Sequence, residues 1–167
     1  GANVFDRQAV KKVFKLKGRD FKKPLAIALA DWKTLESLAY LTPGQKVILK
    51  KILPGPFTVL LPKKKSVSKI LTAGSSLVGI RWPANRLAQQ IIKKAGFPIT
   101  ATSANLSGQP EAIRWQDLPI KVDYLVKGRC RLGQPSTVVD LANRRIIRQG
   151  SGQIDKKILA FPKSSRK

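Results

Sequence analysis

A seven-residue run without charge, PLAIALA at residues 24–30, is the feature that most constrains how this chain can fold. The rest of the sequence is strongly basic, with 33 Lys and Arg against 9 Asp and Glu in 167 residues. An apolar run with no polar alternation is typical of a strand that is buried on both faces. The sequence therefore predicts a sheet that is covered by helices.

Helix and strand patterns alternate early in the chain, and strand patterns follow one another later. Capping residues and apolar spacing predict helices at 6–17, 32–41, 43–53, 66–72, 85–95 and 154–160. The helix at 85–95 is expected to turn five apolar residues inward: Leu87, Ala88, Ile91, Ile92 and Ala95. Strands are predicted within 24–30, 54–62, 76–83, 97–105, 122–128, 136–142 and 144–150, with the last two forming a hairpin. This order favours the α/β (α+β) class, with a twisted, mixed parallel and antiparallel sheet flanked by helices.

The length of 167 residues predicts one domain over 1–167, ending in a short basic tail. The one cysteine, Cys130, has no second thiol with which to pair, which is typical of a reducing cytosol, so we expect a cytoplasmic protein. No apolar run approaches the roughly 20 residues of a membrane-spanning helix, and we expect no membrane partner.

The positive charge is spread over the whole chain. Residues 1–60 carry 12 Lys and Arg, residues 61–120 carry 9 and residues 121–167 carry 12. Such a charge attracts polyanions at long range and says nothing about sequence specificity. Two interpretations stay open, a nucleic-acid partner and a surface that is basic for solubility alone, and the first is favoured.

The absence of histidine from the sequence limits the chemistry available to the chain. It excludes Ser-His and Cys-His nucleophile pairs and every metal site with a histidine ligand. The nine carboxylates form no metal-loop pattern, so no metal site is predicted. Lysine, arginine, hydroxyl, amide and backbone groups remain, and these suit phosphoryl or nucleotidyl transfer.

Two polar stretches in the first two thirds of the chain are candidates for binding. In KGR, Lys17 and Arg19 are two residues apart and would point the same way in an extended conformation, although a solvated charge run explains them as well. In TSANLSG, Ser103 and Asn105 share one face after a strand. They are equally typical of a turn held by local hydrogen bonds and of a site for an anion or a ribose.

Two further stretches carry an arginine at the end of a strand. Arg81 ends the apolar run VGIR, where its charge needs a partner, either a ligand anion or a structural salt bridge. The stretches PSTVVDL and IIRQG bring Ser136, Thr137 and Arg148 to two late strand ends. Because ligands of α/β sheets lie beyond the carboxyl ends of strands, all four stretches are expected to meet at one edge of the sheet.

Together and in this order, these motifs resemble the threonylcarbamoyl-AMP synthase (YrdC-like) family. The motifs are K-x-R, P-G-P-x-T, S-x-N and P-S-T followed by an arginine, present here as KGR, PGPFT, SAN and PST, and the matching stretches run from Gly1 to about Gly152. The resemblance implies a YrdC/RibB-like fold. It also implies an enzyme that joins L-threonine, bicarbonate and ATP into threonylcarbamoyl-AMP with release of pyrophosphate. Other proteins would then transfer the threonylcarbamoyl group to an adenosine of tRNA.

The positions that match the family's motifs carry its roles to this chain as expectations. The resemblance implies ATP binding by Lys17, Arg19, Lys23, Ser103, Asn105 and Arg148. It implies threonine binding by Arg81, Ser136 and the backbone at Ala101. Lys17 and Arg19 would be catalytic, because together with a magnesium ion they would stabilise the charge that develops on the phosphates.

The sequence departs from the family's pattern in three places. The family has a strand with the motif Pro-Thr-x-Thr-x-x-Tyr-Gly-Leu just before the point that matches Gly1, so an N-terminally truncated YrdC-like domain is expected. Ala28 stands where many members have histidine near the bound threonine, and Glu111 stands where many have serine or proline. The lost histidine hydrogen bond is worth about 1 kcal/mol of threonine affinity.

Two other functions are alternatives to the synthase hypothesis. The first is a catalytically impaired RNA-binding module of the same fold, which the net charge of +24 favours. The second is a related carbamoyl-transfer domain that acts in protein maturation. The synthase reading makes ATP, L-threonine and bicarbonate the ligands, tRNA or other RNA the partner of the basic surface, and tRNA threonylcarbamoyltransferase proteins the downstream partners.

Overall fold

The computed structural model describes residues 1–127 and 134–159. Within these residues the helices are α1 (Arg7–Lys17), α2 (Trp32–Leu38), α3 (Pro43–Ile52), α4 (Lys69–Thr72) and α5 (Arg86–Ala95). The strands are β1 (Ala26–Ala28), β2 (Phe57–Pro62), β3 (Leu77–Arg81), β4 (Ile99–Ala101), β5 (Thr137–Asp140) and β6 (Arg145–Arg148). Short 3-10 helices lie at Trp115–Asp117 and Lys156–Leu159.

The helices begin where their capping residues predict. The Asp6 carboxylate accepts hydrogen bonds from the backbone N–H groups of Gln8 and Ala9 at the start of α1. Thr42 and Gln45 form a reciprocal capping box at the start of α3. Local side-chain chemistry therefore determines where these two helices begin.

The six strands form one sheet in the order β4-β1-β3-β2-β5-β6. The pairs β1–β3 and β2–β5 are parallel, while β1–β4, β2–β3 and β5–β6 are antiparallel. The predicted α/β class with a mixed sheet is confirmed, and so is the late hairpin. The chain crosses between non-adjacent strands, so residues that are distant in sequence become neighbours in the sheet.

The two faces of the sheet differ in character. Ile27, Val59, Ile80 and Val139 are fully buried on one face, within the main apolar core that α1 and α3 also join. Alternate residues form the opposite face, called here the second face. Across it, one row of paired residues runs through all six strands: Ile99, Ala28, Arg81, Thr58, Val138 and Arg148.

Only part of the second face is covered by α5. Ile92 of α5 is buried with Ala28 and Ala30, and Ile99 and Ala101 pack against them. Leu87 and Ile91, predicted to face inward, are 50% and 41% exposed, so that prediction is wrong. The apolar side of α5 thus extends, through Leu87 and Ile91, beyond the part that packs on the sheet.

Two predicted elements differ from those observed. No strand forms over 122–127, and Gly128, the last residue predicted in that strand, lies outside the described residues. Tyr124 is 96% exposed and Val126 is 56% exposed. The apolar side of this alternating segment is therefore not buried, and burial does not favour a strand here. The predicted helix at 32–41 ends at Leu38, because Ala39 forms a β-bridge with Lys63 at the end of β2.

Some predictions fall outside the part of the chain that the structure describes. These concern Cys130, the end of the helix predicted to reach residue 160, and the basic C-terminal tail. Among residues 1–127 and 134–159, none of the helices combines the length and the apolar character that a bilayer crossing requires.

Candidate functional site

Lys17, the last residue of α1, has a buried side chain that is fully hydrogen-bonded. Its Nζ donates to the carbonyl oxygen of Ser103 at 2.5 Å, to that of Asn105 at 2.6 Å and to Asn105 Oδ1 at 2.8 Å. An ammonium group has three donors, so these contacts engage all of them. Burial lowers the pKa of Lys17, the nearby charge of Arg19 lowers it further, and Glu111 acts in the opposite direction.

The loop that follows β4 is held by its own side chains as well as by Lys17. Ser103 Oγ donates to Asn105 Oδ1 at 2.8 Å, and Asn105 Nδ2 donates to the carbonyl oxygen of Gln109 at 2.7 Å. The backbone N–H of Ser107 donates to the carbonyl oxygen of Lys17 at 2.8 Å. The local hydrogen bonds that a polar turn implies are thus present, and they give Ser103 and Asn105 fixed positions.

Arg19 lies beside Lys17, although not through the extended conformation predicted for KGR. Gly18 ends α1 with φ of 57°, a left-handed conformation that glycine adopts readily, so the chain turns between the two cations. Arg19 Nε donates to the carbonyl oxygen of Lys23 at 3.1 Å, and Nη2 donates to that of Pro24 at 2.8 Å. Burial lowers the pKa of Arg19. The Lys23 residue is exposed at the edge of this turn.

A second group of polar side chains lies where β2 and β5 begin and β6 ends. Ser136 precedes β5, and its Oγ is 2.8 Å from Thr58 Oγ1 on β2. Arg148, at the end of β6, donates to the Ser136 carbonyl oxygen from Nη2 at 2.9 Å and from Nε at 3.3 Å. Arg81 ends β3 directly opposite Thr58 in the antiparallel pair. Two guanidinium groups and two hydroxyls therefore belong to neighbouring positions of the sheet.

Thr137 holds this second group in place from the other side of the sheet. Its Oγ1 donates to the Gly152 carbonyl oxygen at 2.6 Å and accepts from the N–H groups of Gly150 and Gly152 at 2.9 and 3.0 Å. A Cβ on Gly150 would lie 2.2 Å from the Pro135 carbonyl oxygen. The segment after β6 can therefore approach residues 135–137 closely only because residue 150 is glycine.

The predicted site residues form two groups at opposite ends of the strands, so the expectation of a single carboxyl-terminal edge is wrong. Ala101 pairs with Ala26 at the start of β1, whereas Arg81 pairs with Ala28 at its end. The strand spacing and the rise per residue separate Ala101 from Arg81 by about 10 Å across the sheet and about 7 Å along it. The antiparallel pairs cause this separation, since they bring the beginnings of some strands beside the ends of others.

Two surface cavities lie away from both groups. One of about 240 Å³ lies between α5 and the start of α2, and one of about 330 Å³ lies beside Tyr40 and Lys64. Neither is lined by a predicted site residue. The second face of the sheet is the surface that both groups border.

Thr58 was not among the site residues predicted from the sequence. The motif PGPFT marks the start of a strand, but its pairing with Arg81, 23 positions later, and with Ser136, 78 positions later, depends on the strand order. A hydroxyl two residues after a proline at a strand start is a weak signal by itself. The hairpin pattern did predict that Ser136 and Arg148 lie close together.

Comparison with known families gives one match that extends over most of the chain. The Sua5/YciO/YrdC family model, described as telomere recombination, matches residues 1–150. The threonylcarbamoyl-AMP synthase of Pyrococcus abyssi is 38% identical over 147 residues, which cover 84% of this chain and 43% of that protein. The enzyme of the same name from Bacillus subtilis is 38% identical over 150 residues, covering 86% and 43%. The chain spans less than half the length of these two relatives.

Solved structures show the same architecture. The crystal structure of P. abyssi Sua5 complexed with L-threonine matches with a TM-score of 0.83 and 36% identity, over 90% of this chain and 46% of that one. Full-length HypF in a phosphate- and nucleotide-bound form matches with a TM-score of 0.77 at 23% identity, over 89% and 24%. The likeness to HypF concerns the fold alone.

Proposed function

Because this chain belongs to the Sua5/YciO/YrdC family, we propose that it makes threonylcarbamoyl-AMP and pyrophosphate from L-threonine, bicarbonate and ATP. Two relatives named threonylcarbamoyl-AMP synthase are 38% identical to this chain. The reaction that this name describes is a nucleotidyl transfer. The reaction produces an intermediate for threonylcarbamoyladenosine in tRNA, so tRNA threonylcarbamoyltransferase proteins would act downstream. We assign the reaction to the cytoplasm, since Cys130 has no second cysteine with which to pair.

The observation that carries the proposal is the group formed by Ser136, Arg148 and Arg81. The carbonyl oxygen of Ser136 accepts a hydrogen bond from Arg148. Arg81 lies on β3, directly opposite Thr58 on the neighbouring strand β2. Guanidinium groups and a hydroxyl are the donors that a carboxylate requires. In the proposed complex Arg81 and Ser136 hold the threonine carboxylate, with the backbone at Ala101 beside the amino acid.

The nucleotide would lie toward the other group. Ser103 and Asn105 would contact it from the loop after β4, Arg148 from the opposite end, and Arg19 and Lys23 would contact its phosphates. Lys17 would act through its positive charge and through the loop it holds, because its three donors are already engaged by Ser103 and Asn105. A ligand that reaches from Ala101 to Arg81 must span about 12 Å, the diagonal of the two separations given above, and an extended nucleotide is long enough.

The proposed chemistry balances without a nucleophile from the protein. The amine of threonine takes up bicarbonate with loss of water to give a carbamate. A carbamate oxygen then bonds to the α-phosphorus of ATP as the bond to pyrophosphate breaks. The chain's own residues bind and orient the reactants, and the cation of Arg19 offsets the charge that develops on the phosphates.

Magnesium is proposed as a companion of ATP, not as an ion that the chain holds by itself. Residues 1–127 and 134–159 contain no cluster of three carboxylate, histidine or cysteine ligands. Mg²⁺ commonly binds through substrate phosphates, one or two carboxylates and water, and Glu111 is a carboxylate whose charge acts on Lys17 at the proposed phosphate site. When bound, the ion supplies charge neutralisation on the phosphates.

The test is an assay of the purified chain with ATP, L-threonine and labelled bicarbonate. Pyrophosphate release that requires threonine, together with label in an adenylate, is the expected result. Release with ATP alone, or no release from a chain that is folded by circular dichroism, would reject the synthase activity. Replacing L-threonine by an amino acid without a hydroxyl serves as the specificity control.

A second candidate, an RNA-binding module, is favoured by how the carboxylates are used. Eight of the nine accept hydrogen bonds within the chain, three from a lysine or arginine and five from backbone N–H groups: Asp117, Asp123, Glu36, Asp140, Asp6, Asp20, Asp31 and Asp155. The net charge of +24 therefore remains available to attract an external polyanion. RNA binding without pyrophosphate release would support this candidate, and tRNA binding with release would make RNA a partner of the synthase.

A further inference from the structure

Thr58 lies between the two side chains proposed to hold the amino-acid carboxylate. It is directly opposite Arg81 in the β2–β3 pair, and its Oγ1 is 2.8 Å from Ser136 Oγ. The side chain is almost buried, with 9% of the residue exposed. A hydroxyl in this position can influence the donors on both sides without contacting the reacting atoms.

Packing fixes the orientation of the Thr58 side chain. Its methyl carbon Cγ2 is 3.5 Å from the position that a Cβ on Gly79 of β3 would occupy, whereas its hydroxyl meets Ser136 on the β5 side. Threonine is branched at Cβ and has few favourable χ1 rotamers. The methyl group therefore faces β3, and the hydroxyl is held toward Ser136.

The hydrogen-bonding capacity of Ser136 determines what this contact can do. A serine hydroxyl has one hydrogen to donate and two lone pairs to accept with. Arg148 Nη2 is 3.5 Å from Ser136 Oγ and bonds more closely to the Ser136 carbonyl oxygen, at 2.9 Å. When a carboxylate accepts the hydrogen of Ser136, Thr58 can serve only as a donor to Ser136 Oγ.

We propose that Thr58 is a positioning residue for amino-acid binding. Its hydroxyl donates to Ser136 Oγ and so directs the Ser136 hydrogen to the substrate carboxylate beside Arg81. The inference rests on the proposed function, and it adds a residue that contacts neither ATP nor the reacting atoms. Its effect is accordingly confined to the amino acid.

Thr58→Val keeps the shape of the side chain and removes the hydroxyl. We expect the KM for threonine to rise about 2- to 12-fold, the effect of one hydrogen bond, with the KM for ATP unchanged and kcat within about twofold of wild type. Thr58→Ser keeps the hydroxyl, and its KM for threonine should be within about twofold of wild type. Calorimetric titration of threonine into each variant should reproduce the change in affinity.

Thr100→Val is the matched control. Thr100 is buried in β4, is paired with Ile27, whose side chain faces the main core, and its Oγ1 accepts from the Ala2 N–H at 3.0 Å. This variant should lower the melting temperature and leave the KM for threonine at its wild-type value. A merely structural role for Thr58 would give the same result, or would change the KM for both substrates together.

The outcomes separate this inference from the function on which it rests. Wild-type protein without threonine-dependent pyrophosphate release overturns the synthase. Active wild-type protein with an unchanged KM for threonine in Thr58→Val overturns the role of Thr58, as does a raised KM in Thr58→Ser. If Thr58→Val does not fold, Thr58→Ala is the second variant without a hydroxyl, and the same comparison with Thr58→Ser decides.

Discussion

Lys17 and Asn105, 88 positions apart in the sequence, are joined by two hydrogen bonds from one ammonium group, at 2.6 Å to the carbonyl oxygen and 2.8 Å to Oδ1. The end of α1 and the loop after β4 are thereby fixed to each other. A positive charge that is proposed to serve a phosphate site thus also has a structural task.

Lys17→Met should destabilise the fold, because three buried oxygen acceptors lose their charged donor. Hydrogen bonds to charged groups are each worth about 1.5 to 3 kcal/mol, so we expect the free energy of unfolding to fall by about 2 kcal/mol or more. Urea titration measures the change. Lys15→Met, at an exposed position of the same helix, is the control and should have little effect. Equal stabilities of the two variants would contradict the structural task of Lys17.

Arg19→Gln should separate catalysis from stability better than any change at Lys17. Arg19 donates hydrogen bonds to the carbonyl oxygens of Lys23 and Pro24 in an exposed turn, so the loss of folding stability is small. Removing a donor that stabilises transition-state charge typically lowers kcat about 100-fold, and we expect a loss of that order in pyrophosphate release. Lys22→Gln, in the same turn, is the control. If Arg19→Gln released pyrophosphate as fast as Lys22→Gln, the assignment of Arg19 to the phosphate site would be refuted.

Gly150→Ala should destabilise the segment that supports Ser136. The added Cβ would lie 2.2 Å from the Pro135 carbonyl oxygen, and backbone atoms cannot move aside cheaply. Overpacking of this kind costs about 1 to 3 kcal/mol, which thermal unfolding would detect. For comparison, Gly79→Ala meets its neighbours at 3.4 Å or more, an ordinary contact, and should change stability far less. The prediction fails if the two variants unfold at the same temperature.

The ion pair between Lys12 and Asp123 predicts a local dependence on pH. The hydrogen bond from Lys12, at 2.8 Å, and then its charge lower the pKa of Asp123 below the ordinary value of 3.8. The pair's contribution to stability is therefore complete above pH 3.8 and is lost as the pH falls through the lower pKa of the folded state. Lys12→Gln should return the Asp123 pKa toward 3.8, as followed by the NMR shift of its carboxyl carbon. Lys15→Gln should leave it unchanged, and a pKa that is insensitive to Lys12 would contradict the pairing.

Binding of RNA should depend steeply on salt if the net charge of +24 drives it. For single strands, the logarithm of the affinity falls with the logarithm of salt concentration with a slope of about −0.7 per phosphate neutralised. Fluorescence anisotropy with an unstructured RNA at several salt concentrations gives this slope. A flat dependence would mean that specific contacts, rather than the general charge of the chain, hold the RNA.

The sequence predicted those parts of the molecule that local chemistry determines. α1 begins after Asp6 and α5 ends before Gly96, at the bounds that the sequence predicts, because capping requires only a few adjacent residues. The closeness of Ser136 and Arg148 followed from a hairpin, which is also local. Each of these inferences needed no knowledge of the strand order.

What the sequence did not predict depends on packing between distant segments. The partnership of Thr58 with Arg81 and Ser136 requires the order β3-β2-β5, which no local pattern encodes. The segment at 122–127 has the alternation of a strand, but no neighbour pairs with it in the described part of the chain. For the same reason, the separation of the site into two groups could not be foreseen from the motifs.

Ser136 and Thr137 are adjacent, yet one hydroxyl meets Thr58 on the second face and the other is bonded to Gly152. Because side chains alternate along an extended chain, a shift of β5 by one residue against β2 would exchange their directions. The hydroxyl proposed to face the ligand would then become an internal tether, and the tether would be turned toward the second face. The register of β5 therefore decides which of the two adjacent hydroxyls reaches the second face.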